Sequence, residues 1–212
     1  MFTDRYRAAY ASLGMPLKPS DGMGAQDLDV QSLEGIHLPD ALREYYLVAG
    51  NEKRLNHSFN RLLAPKDMFV EANRIVFMEE NQNVVYWGIP AQSDTNPTVE
   101  QGVNLENQSL EWHTEDTTCA EFLETTLYWQ ASFGGGLKYC TSALVSPAIK
   151  TQLEQDFRFV GKIGGLQTYA RDGCALSFLK WFEDEWRLFA GFKTRKMQLA
   201  IGRELRVHWE EY

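Results

Sequence analysis

Residues 166–192 read LQTYARDGCALSFLKWFEDEWRLFAGF and give the clearest structural signal in the chain. Three alternating apolar runs are separated by two polar turns, and the first turn is the dipeptide Asp172-Gly173. Asp-Gly between such runs is typical of a two-residue β-hairpin turn. We therefore predict a three-stranded meander whose strands are Leu166–Arg171, Cys174–Phe182 and Trp186–Phe192.

Helical patterns lie on both sides of this meander. Ser146-Pro147 begins one helix, in which apolar residues recur every four positions through Phe157. Thr194 begins another helix that ends near Leu205. The meander is therefore expected to pack against helices on either side of it in sequence.

A second hairpin is predicted nearer the amino terminus. Ile75–Met78 and Val84–Ile89 are rich in Val, Ile and aromatic side chains, and they flank the polar turn Glu79–Asn83. Two weaker strands with alternating character follow at Val99–Leu105 and Ser109–His113.

Four helices are predicted in the same half of the chain. The clearest has Pro39 as its first residue, where no free N–H is needed, and ends at Gly50. Thr118-Cys119-Ala120-Glu121 is a capping-box pattern, and a helix through about Ala131 should follow it. The other two are residues 4–13 and Leu28–Glu34.

These elements predict an α+β protein, in which a central, mainly antiparallel sheet is flanked by helices and a C-terminal three-stranded meander plus helix follows. The run Gly134-Gly135-Gly136 is the best internal boundary. We predict one domain over residues 1–133 and a helix–meander–helix extension over residues 134–212. The extension is either a diverged repeat of the first domain or an addition packed on the same core.

The acidic residues are concentrated in one block. The net charge is −8, yet the 63 residues from Ile75 to Leu137 contain ten acids and no Lys or Arg. A field of this sign repels nucleic acid phosphates and attracts basic surfaces. We therefore expect no nucleic acid partner. The block is either a solvated surface that keeps the protein in solution or a site for a basic partner.

Neither export nor membrane insertion is indicated by the sequence. The chain begins Met1-Phe2-Thr3-Asp4-Arg5, and no apolar run approaches the roughly 20 residues that cross a bilayer. The three cysteines are odd in number and widely spaced, which argues against a disulfide framework or a zinc ribbon. We expect a cytoplasmic protein without a membrane partner.

Sequence motifs for catalysis, metals and cofactors are also absent. The segment around His113 lacks the second His of a zinc helix, no Gly-x-Ser-x-Gly elbow occurs, and Gly134–Lys138 lacks phosphate-loop spacing. Cys119 lies at a helix start, but no basic residue is near it in sequence to stabilise a thiolate. We expect no catalytic residue, no metal and no cofactor, and an uncharacterised enzyme stays the least favoured alternative.

Three segments in order resemble the SUKH superfamily, which includes the yeast cell-wall assembly regulator and many bacterial immunity proteins. The segments are Glu34–Pro39 with the helix to Gly50, then Asn60–Pro65, then Phe77–Gln82 with Val84 and Trp87-Gly88. The resemblance covers about residues 1–133. It implies an α+β domain that binds another protein without catalysis, typically by neutralising a co-encoded toxin.

The resemblance and the acidic block together suggest an immunity-type protein. It would block a basic toxin domain, such as a nuclease, through an acidic face of residues 75–130 that also carries aromatic side chains. An intracellular scaffold or regulatory protein of the same fold is the alternative. A competing interpretation is structural, because a hairpin Trp is usually core and a Glu-Asn-Gln turn usually bonds its own backbone. The candidate partner-binding residues are Glu79, Glu80, Asn81, Gln82, Trp87, Glu111, Trp112 and Glu115.

Overall fold

The computed structural model describes residues 1–28, 36–92, 95–105 and 109–211. The chain divides into two compact units. Unit 1 comprises Met1–Arg7 and Leu17–Leu123, and unit 2 comprises Ala8–Pro16 and Glu124–Tyr212. The split into domains 1–133 and 134–212 stays a prediction. The predicted helix Leu28–Glu34 lies, after Leu28, outside the described residues.

Helices and antiparallel strands make up both units, which confirms the predicted α+β class. The helices are α1 Phe2–Ser12, α2 Asp40–Ala49, α3 Lys53–Asn56, α4 Cys119–Ser132, α5 Ile149–Asp156 and α6 Arg195–Leu205. The strands are β1 Arg61–Leu62, β2 Phe69–Glu71, β3 Arg74–Glu79, β4 Val85–Pro90, β5 Thr98–Asn104, β6 Leu110–Thr118, β7 Tyr139–Val145, β8 Arg158–Ile163, β9 Leu166–Arg171, β10 Cys174–Phe182, β11 Glu185–Phe192 and β12 Glu210–Glu211. Within the described part of the chain, no helix is both long enough and apolar enough to cross a membrane.

The sheet of unit 1 has the strand order β1-β3-β4-β5-β6, and β2 also pairs with β3. The predicted hairpin is confirmed as β3 and β4, and the two weaker strands are confirmed as β5 and β6. The register shifts between Val76 and Met78, so β3 contains a bulge. A bulge changes which side chains face the helices, and sequence alternation alone therefore gives the wrong faces beyond it.

The core of unit 1 joins the three segments that carry the family resemblance. β1 pairs with β3, so that Arg61 lies opposite Glu79 and Leu62 opposite Met78. The hydroxyl of Tyr46 on α2 donates to the carbonyl of Leu63. Pro39 is the residue before the helix, with an extended backbone, and not its first helical residue. These contacts bind α2 and the strand after it into one packed core.

The sheet of unit 2 has the strand order β12-β7-β11-β10-β9-β8. The predicted meander is confirmed as β9, β10 and β11, but the sequence interpretation missed β7 and β8, which extend the sheet on both sides. Its core face is closed by helices, with buried residues Leu153 of α5 and Ile201 of α6 packed on strand residues Phe178 and Phe192. Burying side chains of this size contributes roughly 1.5–3 kcal/mol each to folding.

A similar order of elements occurs in both units, although α3, β1 and β2 lie between α2 and β3 in unit 1. In each, a helix precedes a four-stranded antiparallel meander, and a second helix follows it: α2, β3–β6 and α4 in one, and α5, β8–β11 and α6 in the other. This order is the one that a diverged repeat would produce. A common motif recurs by chance as well, so both interpretations of the extension stay open.

Candidate protein-binding surface

The eight candidate residues do not share one face of the sheet in unit 1. Directly paired residues point to the same side, and neighbours along a strand point to opposite sides. Trp87 pairs with Gln101, which pairs with His113, whereas Gly102 pairs with Trp112. Trp87 and Trp112 therefore lie on opposite faces. Glu111 shares the Trp87 side, because it is two residues from His113.

Trp87 belongs to the core of unit 1. Its side chain is 2% exposed and its ring lies 5.8 Å from that of Phe122 on α4. The indole N–H donates to the Glu115 carboxylate at 3.0 Å. The structure thus brings these two candidates together as an internal pair. This burial favours the structural interpretation of Trp87, and its contact with a partner stays a prediction.

Trp112 is held flat on the other face of the sheet. A Cβ at Gly88 or at Gly102 would lie 3.0 Å from the end of its ring, so the two glycines make room for the indole. On the outer side, the Arg74 guanidinium carbon is 4.9 Å from the ring centroid, a cation–π distance. Arg74 Nε also donates to Glu100 at 2.7 Å. Trp112 is half-buried between these groups, and its main role is to hold together the residues on this face of the sheet.

The turn after β3 is stabilised largely by its own contacts. The Glu80 carboxylate accepts from the backbone N–H of Gln82 at 2.8 Å, as the structural interpretation expected. Glu79 forms an ion pair with Arg61. Asn81 and Gln82 are exposed. Asn81 lines a polar cleft of about 410 Å³, together with Glu79 and residues that include His57, Asn60 and Arg61.

Arginines outside the acidic block neutralise part of it. Glu79 pairs with Arg61, Glu100 pairs with Arg74, and in unit 2 Arg158 donates to Glu124 at 3.2 Å. The carboxylate of Glu121 accepts from the hydroxyl of Thr118 at 2.7 Å and from its backbone N–H at 3.1 Å. The negative surface is consequently smaller than the sequence alone indicated. Asp94 and Glu106 lie outside the described residues.

Three further acids lie within six residues on β6, and we call Glu111, Glu115 and Asp116 the acidic edge. Glu111 lies 3.5 Å from His113, and Glu115 accepts from the Trp87 indole. β6 is the last strand of its sheet among the described residues. The pairing skips from Thr114 to Thr118 there, and Asp116 has a left-handed backbone with φ of 52°. Asp tolerates this conformation better than most residues, and a bulged edge strand resists the addition of another strand. The acidic edge therefore presents carboxylates rather than a free backbone ladder.

Glu121 predicts a pH dependence of stability. Hydrogen bonds from the Thr118 hydroxyl and backbone N–H lower the pKa of Glu121 below its ordinary 4.5. A lowered pKa stabilises the fold above the unfolded pKa, and this contribution is lost as pH falls through the folded pKa. Glu121→Ala is expected to cost about 1 kcal/mol at neutral pH through loss of the capping box. Urea denaturation should show this difference shrinking as the pH falls below 4.5. A difference that is the same in acid would contradict the role of the ionised carboxylate.

Two buried cysteines and one histidine have pKa values shifted from their usual values. Burial raises the pKa of the thiols of Cys119 and Cys174 well above the usual value, which keeps them protonated and poor nucleophiles. Burial, together with Arg61 and Lys53, lowers the pKa of His57. Within the described ranges, no group of three or more His, Cys, Asp or Glu is arranged to hold a metal ion.

Two features of unit 2 were missed by sequence reasoning. Trp181 and Phe182 are exposed at the end of β10, next to the acidic turn that precedes β11. A groove of about 720 Å³ lies along α6 and is lined partly by arginines. The aromatic pair had a sequence signal, because LKWFEDEW places two large apolar residues directly before a run of acids. The groove had none, because it depends on how the chain folds back after α6.

No protein-family model, curated protein or solved structure matches the chain. The resemblance to the SUKH superfamily therefore stays a prediction that rests on the three quoted segments.

Proposed function

We propose that this chain is a non-catalytic, cytoplasmic protein-binding module that holds a basic partner through the acidic edge. The observation that carries the proposal is the position of Glu111, Glu115 and Asp116, which lie within six residues on an edge strand. A basic toxin domain that the protein neutralises is the partner we favour.

The charge of unit 1 supports the same conclusion. Unit 1 contains 19 acidic and 9 basic residues, a net charge of −10, whereas unit 2 contains 10 acidic and 12 basic residues, a net charge of +2. A field of this size attracts a cationic protein before contact and raises its association rate constant. Salt screens such a field over about 8 Å at physiological ionic strength, so association should be salt-dependent.

Partner identity is tested by affinity capture from a lysate of the source cells, with elution in steps of increasing salt. We expect a basic toxin fragment, identified by mass spectrometry, that elutes with salt and loses toxicity when this chain is co-expressed. Capture of envelope or housekeeping proteins alone, with no such fragment, would favour the scaffold or regulatory alternative.

Charge reversal at the acidic edge tests the surface. With purified partner, Glu111→Lys combined with Asp116→Lys is expected to lower the association rate constant about tenfold at low salt, measured by stopped-flow mixing. Glu115 is left unchanged because it accepts from Trp87. The matched control, Asp67→Lys combined with Glu71→Lys, makes the same charge change at exposed positions of the same unit. Equal losses from both pairs would contradict a localised site.

A further inference from the structure

Packing within unit 2 holds the apolar side chains that line the groove along α6. The indole of Trp209 lies against Gly202 so closely that a Cβ there would be 2.6 Å from its Nε1. The same Nε1–H donates to the carbonyl of Gln198 at 3.0 Å, and the ring lies 5.5 Å from Phe192. Leu199 and Val207 complete the apolar part of the lining. Packing therefore fixes this apolar surface before any ligand arrives.

Arginines dominate the charged part of the lining. Arg195, Arg203 and Arg206 line the groove together with His208, and Glu210 is its only acid among the described residues. Glu210 is itself neutralised, because it accepts from Arg187 at 2.8 Å. The groove therefore has the opposite sign to the protein as a whole, whose net charge is −8.

Two of the three arginines, Arg203 and Arg206, keep donors for a ligand, whereas Arg195 donates to Gln198 at 2.9 Å. Arg203 uses Nε to donate to the carbonyl of Leu199 at 3.2 Å, which leaves the terminal nitrogens of its five-donor guanidinium. Within the described residues, no hydrogen bond or ion pair engages the Arg206 side chain, and its backbone is left-handed with φ of 56°. A planar guanidinium binds a carboxylate through two parallel hydrogen bonds, so the groove suits carboxylates.

We propose that this groove binds an acidic peptide segment that carries an apolar side chain. α6 and Arg206, the residue that follows it, extend about 16 Å from Arg195, which matches about five residues of extended peptide. Leu199 is 50% exposed and lies between the arginines in sequence. The carboxylates of the segment pair with the arginines, and its apolar side chain covers Leu199 and Trp209.

A peptide fits the charge distribution better than a nucleic acid does. A nucleic acid carries a charge at every phosphate and extends beyond a groove of this length, so the net charge of −8 on the protein opposes its binding. A short acidic segment carries few charges and buries its apolar side chain as well. This proposal is independent of the acidic edge, which has the opposite sign and belongs to the other unit.

Fluorescence anisotropy of a labelled peptide of Asp and Glu with one central Leu tests the proposal on the full chain. Arg203→Glu combined with Arg206→Glu is expected to weaken its affinity about tenfold or more. The matched control, Lys162→Glu combined with Lys180→Glu, makes the same charge change at exposed positions of unit 2 and should cost about twofold or less. Equal losses from both pairs, or no binding by the wild-type protein, would overturn the proposal.

A second variant separates the apolar contact from charge and keeps the test valid if the arginine variant does not fold. Leu199→Ser is expected to weaken binding of the Leu peptide about fivefold and to leave a peptide with Gly at the central position unchanged. Equal competition by inorganic phosphate, or tighter binding of a single-stranded oligonucleotide, would show a general anion site and overturn the peptide proposal.

Discussion

Gly191→Ala is expected to destabilise unit 2 by about 3 kcal/mol, because overpacking against a fixed backbone is costly. A Cβ at Gly191 would lie 2.1 Å from the carbonyl oxygen of Ala131 on α4. β11 pairs with β7 on one side and β10 on the other, so it cannot shift away without losing sheet hydrogen bonds. Native proteins are stable by about 5–15 kcal/mol, so this one methyl group should remove a large share of the free energy of unfolding.

Urea denaturation followed by circular dichroism measures this loss. Gly165→Ala is the control, because the turn at Gly165 has open space around it and no positive φ. This control should change the free energy of unfolding by about 0.5 kcal/mol or less, through the unfolded chain. A cost below about 1 kcal/mol at Gly191 would mean that α4 moves away from the sheet more easily than its packing indicates.

Hairpins were predictable because their signals are local. Gly173 has φ of 72° in the turn between β9 and β10, a conformation that glycine adopts without strain. The Thr194 hydroxyl accepts from the backbone N–H of Met197 at 3.2 Å, as expected for the residue before a helix. In both cases residues a few positions apart determine the local structure, and a single sequence contains all of that information.

The strands β7 and β8 were missed for two different physical reasons. In β7 the buried side chains include Thr141 and Ser142. Because these buried residues are polar, the sequence of β7 does not alternate between apolar and polar residues. Their hydroxyls are instead satisfied by Glu210 and Arg187, which come from far along the chain. β8 starts directly after Phe157 with no turn residue, and it is an edge strand in which Ile163 alone is fully buried.

Sequence reasoning located the acidic block but not its free surface. Arg61 and Arg74 precede the block in sequence, and only the pairing of β1 with β3 and the folding of Arg74 across the sheet bring them to Glu79 and Glu100. The sequence also did not reveal that Trp87 and Trp112 lie on opposite faces of the sheet, for a related reason. The positions of Trp87 and Trp112 depend on the register of three strands, which no short-range pattern encodes.

Trp87→Ala is expected to cost about 3–5 kcal/mol, as other large core truncations do. The substitution removes a side chain that is 2% exposed, its contact with Phe122 and its hydrogen bond to Glu115. Trp181→Ala is the matched control, because its ring is 43% exposed, and it should cost about 1 kcal/mol or less. Thermal and urea denaturation measure both.

Trp87→Phe separates a structural role from a partner contact at the same position. Phenylalanine keeps an aromatic ring beside Phe122 but removes the indole N–H that donates to Glu115. Because the ring is buried, the variant should lose stability, by less than Trp87→Ala does, and still bind the partner with an affinity within about twofold of wild type. A loss of affinity of about tenfold in a folded Trp87→Phe protein would show that Trp87 contacts the partner. The partner-binding surface would then include Trp87 as well as the acidic edge.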